Sequence, residues 1–528
     1  MNKYYYKFLK INKKIIKKYN NSNKNIFLID RGRFWHSFQS AVAAAALNKK
    51  YKCNVLIFSE KKKDSEIIQF YKSFGFEDYY PGLSFIFLIK KLHIFIKSII
   101  ISLIVIINIK INNFSWLIRE FKIDNINIGD LIYDEYIRYD HSFIVPKVDI
   151  KFIKILFVTI FKVKNFIELL KKYRPKLIFT TTSGKAANVG IATRVGVYKK
   201  IKIIELSNNT KKLNHFIVHD HSRVFYGKNR MLQKKKIFNE FIKYTKNLNS
   251  KMLDKFILDR SKGNFILNVT SLPGSGDMKR AKKHKSNFIF NRDQLLKKIS
   301  LNKNKITKIV LIAPHAFSDS PHDNGLDMIF DDYYSHFKET LLFINDKINK
   351  KNILWLVKSH PASNHYKENG IVENLVKKLS NENIKMCPKN ISSHNLTLIC
   401  DNAVTLKGTV GLEFACQGKY SITGGFAAYS NLGFSLHASN KHKYFSNLEK
   451  ISNLPKLNSK QILKAKKVLY YLETKKQEDR LENSNIFTEF IDNNDQSFFC
   501  KKLIDNFENI TSFENDPYYK DVANKFVI

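Results

Sequence analysis

A short apolar run, a loop of small or polar residues, a helical stretch and a second apolar run follow one another four times in this chain. That order limits the folds open to it. The first unit is "NIFLID" (25–30), "RGRFWHS", "FQSAVAAAALNKK" and "NVLIFSE". The second is "KLIFTT" (176–181), "TSGK", "AANVGIATRVG" and "KIKIIEL". A third joins "KIVLIAP" (308–314) through "YYSHFKETLLFINDKI" to "NILWLVKSHP" (352–361), and a fourth joins "NAVTLKGT" (402–409) through "VGLEFACQ" to "KYSITGG" (419–425). Alternation of this kind builds parallel βαβ layers and excludes all-α and all-β folds. The alanines of the first helix suit close packing on a sheet.

The units fall into two groups. The expected fold is therefore α/β, with two Rossmann-like doubly wound lobes facing a cleft and a helical C-terminal tail. The expected divisions are a basic N-terminal segment (1–24), an N-terminal lobe (25–226), a basic helical connection (227–305), a C-terminal lobe (306–455) and the tail (456–528). A length of 528 residues suits two to three domains.

The formal charge of +44 comes from 90 Lys+Arg against 46 Asp+Glu. The excess is mostly lysine, is spread along the chain, and forms no arginine block or recognition signature, so nucleic acid is not an expected partner. Attraction to anionic lipid head groups follows from the same charge. The five cysteines, Cys53, Cys387, Cys400, Cys416 and Cys500, are scattered and never spaced as CxxC. No disulfide framework, zinc site or cofactor is expected. The N-terminus is basic without an apolar h-region, and the expectation is a cytoplasmic protein.

The most apolar stretch, Ser98 to Ile109, is 12 residues long between Lys97 and Lys110. A bilayer span needs about 20. The preferred reading is a buried element of the core. The alternative is a monotopic membrane contact over residues 86–110, at the inner face of the plasma membrane.

In an open parallel sheet, ligands bind where the carboxyl ends of strands run into loops. Three such loops in the second lobe should converge: "PHAFSDSPHD" (314–323), "KSHPASNH" (358–365) and "KGTVGLE" (407–413). Gly408 would let backbone approach a ligand, and Thr409 would cap a helix that faces a phosphate. Glu413 is either a well-placed first-turn carboxylate or an acceptor for two ribose hydroxyls. Lys358 and His360 follow a strand directly, and a histidine there can donate to a phosphate oxygen or protonate a leaving group.

In the first lobe, Ser183, Gly184 and Lys185 stand at a strand–helix turn that could cradle an anionic group of donor or acceptor. Asp130, Asp134, Glu135 and Asp140 cluster around Arg138 in an otherwise acid-poor chain. Asp134 or Glu135 could deprotonate an acceptor hydroxyl, or the cluster could be a solvated face paired with lysines. Asp319 in "SDSP" is a second carboxylate candidate on the acceptor side. "HFIVHDH" (215–221) reads more as a strand than as a zinc-binding helix.

The run from "APHAFSDSPHD" through "ILWLVKSHPASNH" to "NAVTLKGTVGLEFACQGKYSITGGFAAYSNLGF" resembles the capsule polysaccharide biosynthesis and surface-carbohydrate proteins. That family includes Kdo transferases of two Rossmann-like lobes, the GT-B architecture. "IGDLIYDEYIR" resembles a recurring segment of the same proteins. The resemblance implies a metal-independent glycosyltransferase whose substrates are a nucleotide sugar and a lipid- or polymer-linked glycan of capsule or lipopolysaccharide. It implies His360 at the donor phosphate, Gly408 and Thr409 along the nucleotide, and Glu413 at the ribose. An HP motif shared with bacterial sialyltransferases hints at a CMP-linked donor such as CMP-Kdo. The acidic pair "DE" here lacks the glycine that follows it in those enzymes. Two rivals share the fold: a nucleotide-sugar 2-epimerase, and a non-catalytic polysaccharide-binding or export partner.

Overall fold

The computed structural model describes residues 3–15, 25–30, 34–59, 65–80, 91–139, 142–180, 187–210, 213–219, 239–261, 291–301, 305–322, 328–348, 352–364, 366–388, 391–474, 480–482, 500–501, 504–505 and 513–526. Ser183, Gly184 and Lys185 lie outside the described residues.

Two sheets organise the chain. The second has six strands, all parallel, in the order Ile384–Met386, Ile353–Val357, Lys308–Ile312, Asn402–Thr405, Ser421–Thr423, Leu436–His437. Numbered within the lobe this is 3-2-1-4-5-6, the doubly wound order whose reversal lies between the first and fourth strands. The first sheet repeats that centre with Tyr79–Tyr80, Asn54–Phe58, Asn25–Ile29, Leu177–Thr180 and Lys202–Thr210 in parallel. Leu213–His219 then turns back antiparallel, and Arg480–Leu481 pairs antiparallel outside it. His215 and His219 thus belong to a strand, and no group of metal-ligating side chains occurs among the described residues.

The central strands read as unbroken apolar runs because both faces are covered. Ile26 and Leu28 enter one core of the first lobe while Phe27 and Ile29 enter the other. Val310 and Ile312 likewise face one core of the second lobe, and Ile309 and Leu311 the opposite one. Helix Phe34–Tyr51 lies on the first sheet with Ala41 through Ala46 all buried.

The flanking segments pack on the lobes. From the 227–305 stretch, Leu295 and Leu296 of helix Arg292–Lys298 join Ile309 and Leu311 in the second lobe. The 456–528 stretch divides. Helix Ser459–Thr474 packs on helix Val410–Cys416 of the second lobe, with Ile462 against Gly418, whose φ of +77° closes that short helix. Helix Pro517–Lys525 instead covers the alanine-rich helix of the first lobe, where the Tyr519 hydroxyl donates to the Ala45 carbonyl at 3.2 Å.

The apolar stretch 98–109 is not the buried core element that its composition suggests. It is part of one long helix, Leu92–Glu120, that bends at Asn113 (φ 66°) and packs on helix Ile150–Tyr173 by one side only. Lys97 and Lys110 bound the apolar run without ending the helix, because lysine is a good helix former.

Candidate active site

The sequence reversal in the second sheet opens a crevice at the carboxyl ends of Lys308–Ile312 and Asn402–Thr405, as the doubly wound order requires. A cavity of about 480 Å³ occupies it. Lys358, His360, Gly408, Thr409 and Glu413 all line this cavity, so every second-lobe donor-side residue read from the sequence comes together. Asp319 does not line it; its side chain is hydrogen-bonded to Tyr366.

The cationic groups are held by backbone carbonyls. Lys358 Nζ donates to the Ile391 carbonyl at 3.0 Å and to Ser393 Oγ at 3.3 Å. Lys407 Nζ donates to the Pro321 carbonyl at 3.0 Å and lies 5.4 Å from the centre of the Tyr333 ring. The same ring stacks at 4.6 Å on His315, whose Nε2 accepts from Lys407 N at 3.4 Å. His360 Nδ1 accepts from Ala362 N at 3.2 Å, which in the neutral ring places the proton on Nε2 and makes that nitrogen a donor. The His315 and His360 rings lie 6.4 Å apart and nearly parallel.

Glu413 is already partnered. Arg260 Nη2 donates to its Oε1 at 2.9 Å and stands 3.6 Å from Glu473. Burial works to lower the Arg260 pKa, but Glu413 and Glu473 outweigh it and the value is raised. His394, in the same wall, is shifted down by burial, with Arg260 adding to that shift and Glu413 opposing it.

One local detail differs from the sequence reading. Thr409 has helical backbone angles and makes no side-chain cap hydrogen bond. Its carbonyl instead accepts from Leu412 N and Glu413 N, at 2.9 and 3.0 Å. Gly408 is tight: a Cβ there would meet Thr405 Oγ1 at 2.9 Å and His315 Nε2 at 3.6 Å. The Tyr429 hydroxyl donates to its carbonyl at 2.6 Å.

The first-lobe acids lie elsewhere, on helix Gly129–Tyr139. Asp130 pairs with buried Arg194. Asp134 is buried between the lobes and accepts from His322 N at 2.9 Å and His322 Nδ1 at 2.7 Å, so both of its oxygens are engaged. Neither Asp134 nor Glu135 lines the cavity. Further ties cross beside this pair. Tyr133 donates to Asp332 at 2.6 Å and Arg138 to Ser320 at 3.0 Å. Ser115 donates to Asp331 at 2.7 Å, and Arg119 reaches Asp331 and the Met328 and Phe330 carbonyls.

His315, Lys407 and Arg260 were not singled out by sequence reasoning. The first two lie inside loops that were. Arg260 gave no signal, because its partner Glu413 is 153 positions away.

Residues 273–472 match the family described as "Capsule polysaccharide biosynthesis protein". No curated protein matches the chain. Solved structures of similar chain path include UDP-GlcNAc 2-epimerase from Neisseria meningitidis bound to UDP-GlcNAc. It is 12% identical, with 86% of this chain and 100% of that one covered and a TM-score of 0.26. A glycosyltransferase from Rickettsia africae is 10% identical over 96% of this chain and 100% of its own, with a TM-score of 0.26. KpsC, the beta Kdo 2,4 transferase of Thermosulfurimonas dismutans, is 10% identical over 56% and 79%, with a TM-score of 0.28. The matched span holds the second sheet and all of the cavity wall except Ile257 and Arg260. The match to that family thus falls on the second lobe of this chain and the helices packed against it.

Proposed function

We propose that the protein is a glycosyltransferase that moves a sugar from a nucleotide-activated donor onto a lipid- or polymer-linked glycan of capsule or a related surface polysaccharide. The observation that carries this reading is the charge of the cavity wall. Lys358, Lys407 and Arg260 converge on it, and its carboxylate, Glu413, is already ion-paired. Such a wall suits the phosphate of a nucleotide.

On this reading Lys358 and Lys407, fixed by carbonyls, meet the phosphate charge that grows as the sugar leaves, with no reorganisation at that moment. His360 donates from Nε2 to a phosphate oxygen. Glu413, displaced from Arg260, accepts from the ribose hydroxyls, and Gly408 lets the nucleotide lie close to backbone. The proton of the acceptor hydroxyl goes to a carboxylate on the acidic helix of the first lobe, Asp134 or Glu135. A CMP-linked donor of the Kdo type is the specific assignment, and it rests on the His360–Pro361 pair.

The test is a thermal-shift panel of CMP, CDP, UDP, GDP and ADP on the purified full-length chain. A ligand at about 100 times its Kd stabilises a fold by roughly 2.7 kcal/mol. A response to CMP that is absent in His360→Ala supports the assignment. A response to UDP or GDP keeps the transferase and changes the donor. Silence across the panel at millimolar nucleotide overturns the reading.

A further inference from the structure

Beyond its bend, helix Leu92–Glu120 is hydrogen-bonded to the second lobe through Ser115 and Arg119. Before the bend it has two unlike sides. Ile94, Ser98, Ser102, Val105 and Ile109 are buried toward the first lobe. The Ser98 and Ser102 hydroxyls, which face that packing, donate back to the carbonyls four residues earlier, at 2.7 Å each. The opposite side carries Ile96, Ile100, Leu103, Ile104, Ile107 and Ile111, all exposed, the last at 73%. At 3.6 residues per turn these form one continuous apolar ridge. Ile150 and Ile153 of helix Ile150–Tyr173, which packs on this one, are exposed as well, with Ile150 at 87%. A contiguous patch of this kind on a folded lobe marks a surface that is covered by something else.

The charge around the ridge indicates what covers it. Exposed Lys97 and Lys110 stand in the same stretch of helix, Lys154 is exposed on the neighbouring helix, and no acidic residue occurs between Leu92 and Ile111. Two carboxylates of the neighbouring helix and its cap are already engaged. Asp149 caps helix Ile150–Tyr173 by accepting from Phe152 N at 2.7 Å, and Glu168 is paired with Lys91 and His93. A second copy of this face would oppose lysine to lysine. An anionic lipid surface satisfies both the ridge and its cations.

We propose that the exposed side of this helix from Leu92 to Ile111 lies in the headgroup layer of an anionic bilayer, with Lys97, Lys110 and Lys154 on the lipid phosphates. The helix is long and apolar enough to cross a membrane. It lies in the interface plane instead, because Val105 and Ile109 are part of the first-lobe core and are not open to lipid. The docking does not depend on which nucleotide the second lobe takes. It also reaches the inter-lobe contacts, since the same helix continues past Asn113 to Ser115 and Arg119.

The experiment is flotation of the full-length protein with vesicles of phosphatidylcholine alone or with phosphatidylglycerol. The protein is expected to float with the anionic vesicles, and at least tenfold less with neutral ones. The triple change Ile100→Glu, Leu103→Glu, Ile107→Glu is expected to lower the bound fraction by tenfold or more with an unchanged melting temperature. A second variant, Ile104→Trp, is expected to add an emission component that shifts to the blue on addition of anionic vesicles. Unchanged flotation of the triple variant overturns the proposal, as does an unshifted Ile104→Trp component. A concentration-dependent dimer that the triple variant abolishes, without vesicle binding, overturns it in favour of a second copy.

Discussion

His322 in the second lobe and Asp134 in the first are joined twice, once through the ring at 2.7 Å and once through the His322 backbone N–H at 2.9 Å. Burial works to lower the histidine's pKa, but the Asp134 charge and hydrogen bond outweigh it, and the value is raised above 6.5. The His322 Nε2 atom is buried with no hydrogen-bond partner among the described residues. The pair is an ionic tie between lobes.

A raised histidine pKa contributes stability that is fully present below the unfolded value, near 6.5, and is lost as pH rises through the folded value. The difference in melting temperature between wild type and His322→Gln is therefore expected to be largest at pH 6 and to shrink as pH rises. Asp134→Ala, which leaves the buried imidazolium unpaired, is expected to cost about 3–5 kcal/mol at pH 6 by denaturant unfolding. A His322→Gln deficit that grows with pH would show the tie to be neutral.

His336 is expected to behave in the opposite sense. It is buried, its Nε2 lies 2.8 Å from the Tyr444 hydroxyl, and burial lowers its pKa to about 3. The folded protein then holds the ring neutral while the unfolded chain protonates it near 6.5, so stability falls as pH drops between those values, by about 1.4 kcal/mol per unit. His336→Gln cannot protonate, and its deficit against wild type is expected to narrow from pH 6.5 downward. A constant deficit across that range would contradict the neutral buried ring.

Gly411 and Tyr429 compete for one space. A Cβ on Gly411 would stand 2.2 Å from the Tyr429 hydroxyl, which is bonded to the Gly408 carbonyl beside the cavity. Gly411→Ala is expected to destabilise by about 1–3 kcal/mol, as overpacking does. The cost is expected to fall by at least half in a Tyr429→Phe background, measured as a double-mutant cycle. Additive effects would mean that Ser421 Oγ, 2.8 Å from the same position, sets the limit instead.

Glu413 and Arg260 offer a direct check on the ribose assignment. Glu413→Gln keeps the shape and removes the charge. It is expected to weaken the responding nucleotide at least tenfold by calorimetry, or about 1.4 kcal/mol. An unchanged Kd would leave the carboxylate as Arg260's partner and nothing more.

The sequence and the structure agree where a residue's role follows from its immediate neighbours. The strands were legible because parallel strands covered on both faces are unbroken apolar runs, as Ile309 to Ile312 are. The convergence of Lys358, His360 and Glu413 followed from the strand-end rule. Roles set by distant partners were not legible. Asp134 looked like a free acid beside Glu135, and nothing local tells that His322, 188 positions later, occupies it. Composition also failed for Ser98 to Ile109, because an apolar residue count does not say which side of a helix has a neighbour.

Helix Pro517–Lys525 has a consequence for how the protein is made. The Tyr518 hydroxyl meets the Gln39 carbonyl across 479 positions, so the alanine-rich helix is synthesised long before its cover. At translation rates of about 5–20 residues per second, that interval is roughly half a minute to a minute and a half. For all of that time the growing chain presents an alanine-rich face to other nascent chains and to chaperones. A ribosome stalled before residue 513 would release a first lobe that lacks the helix covering that face.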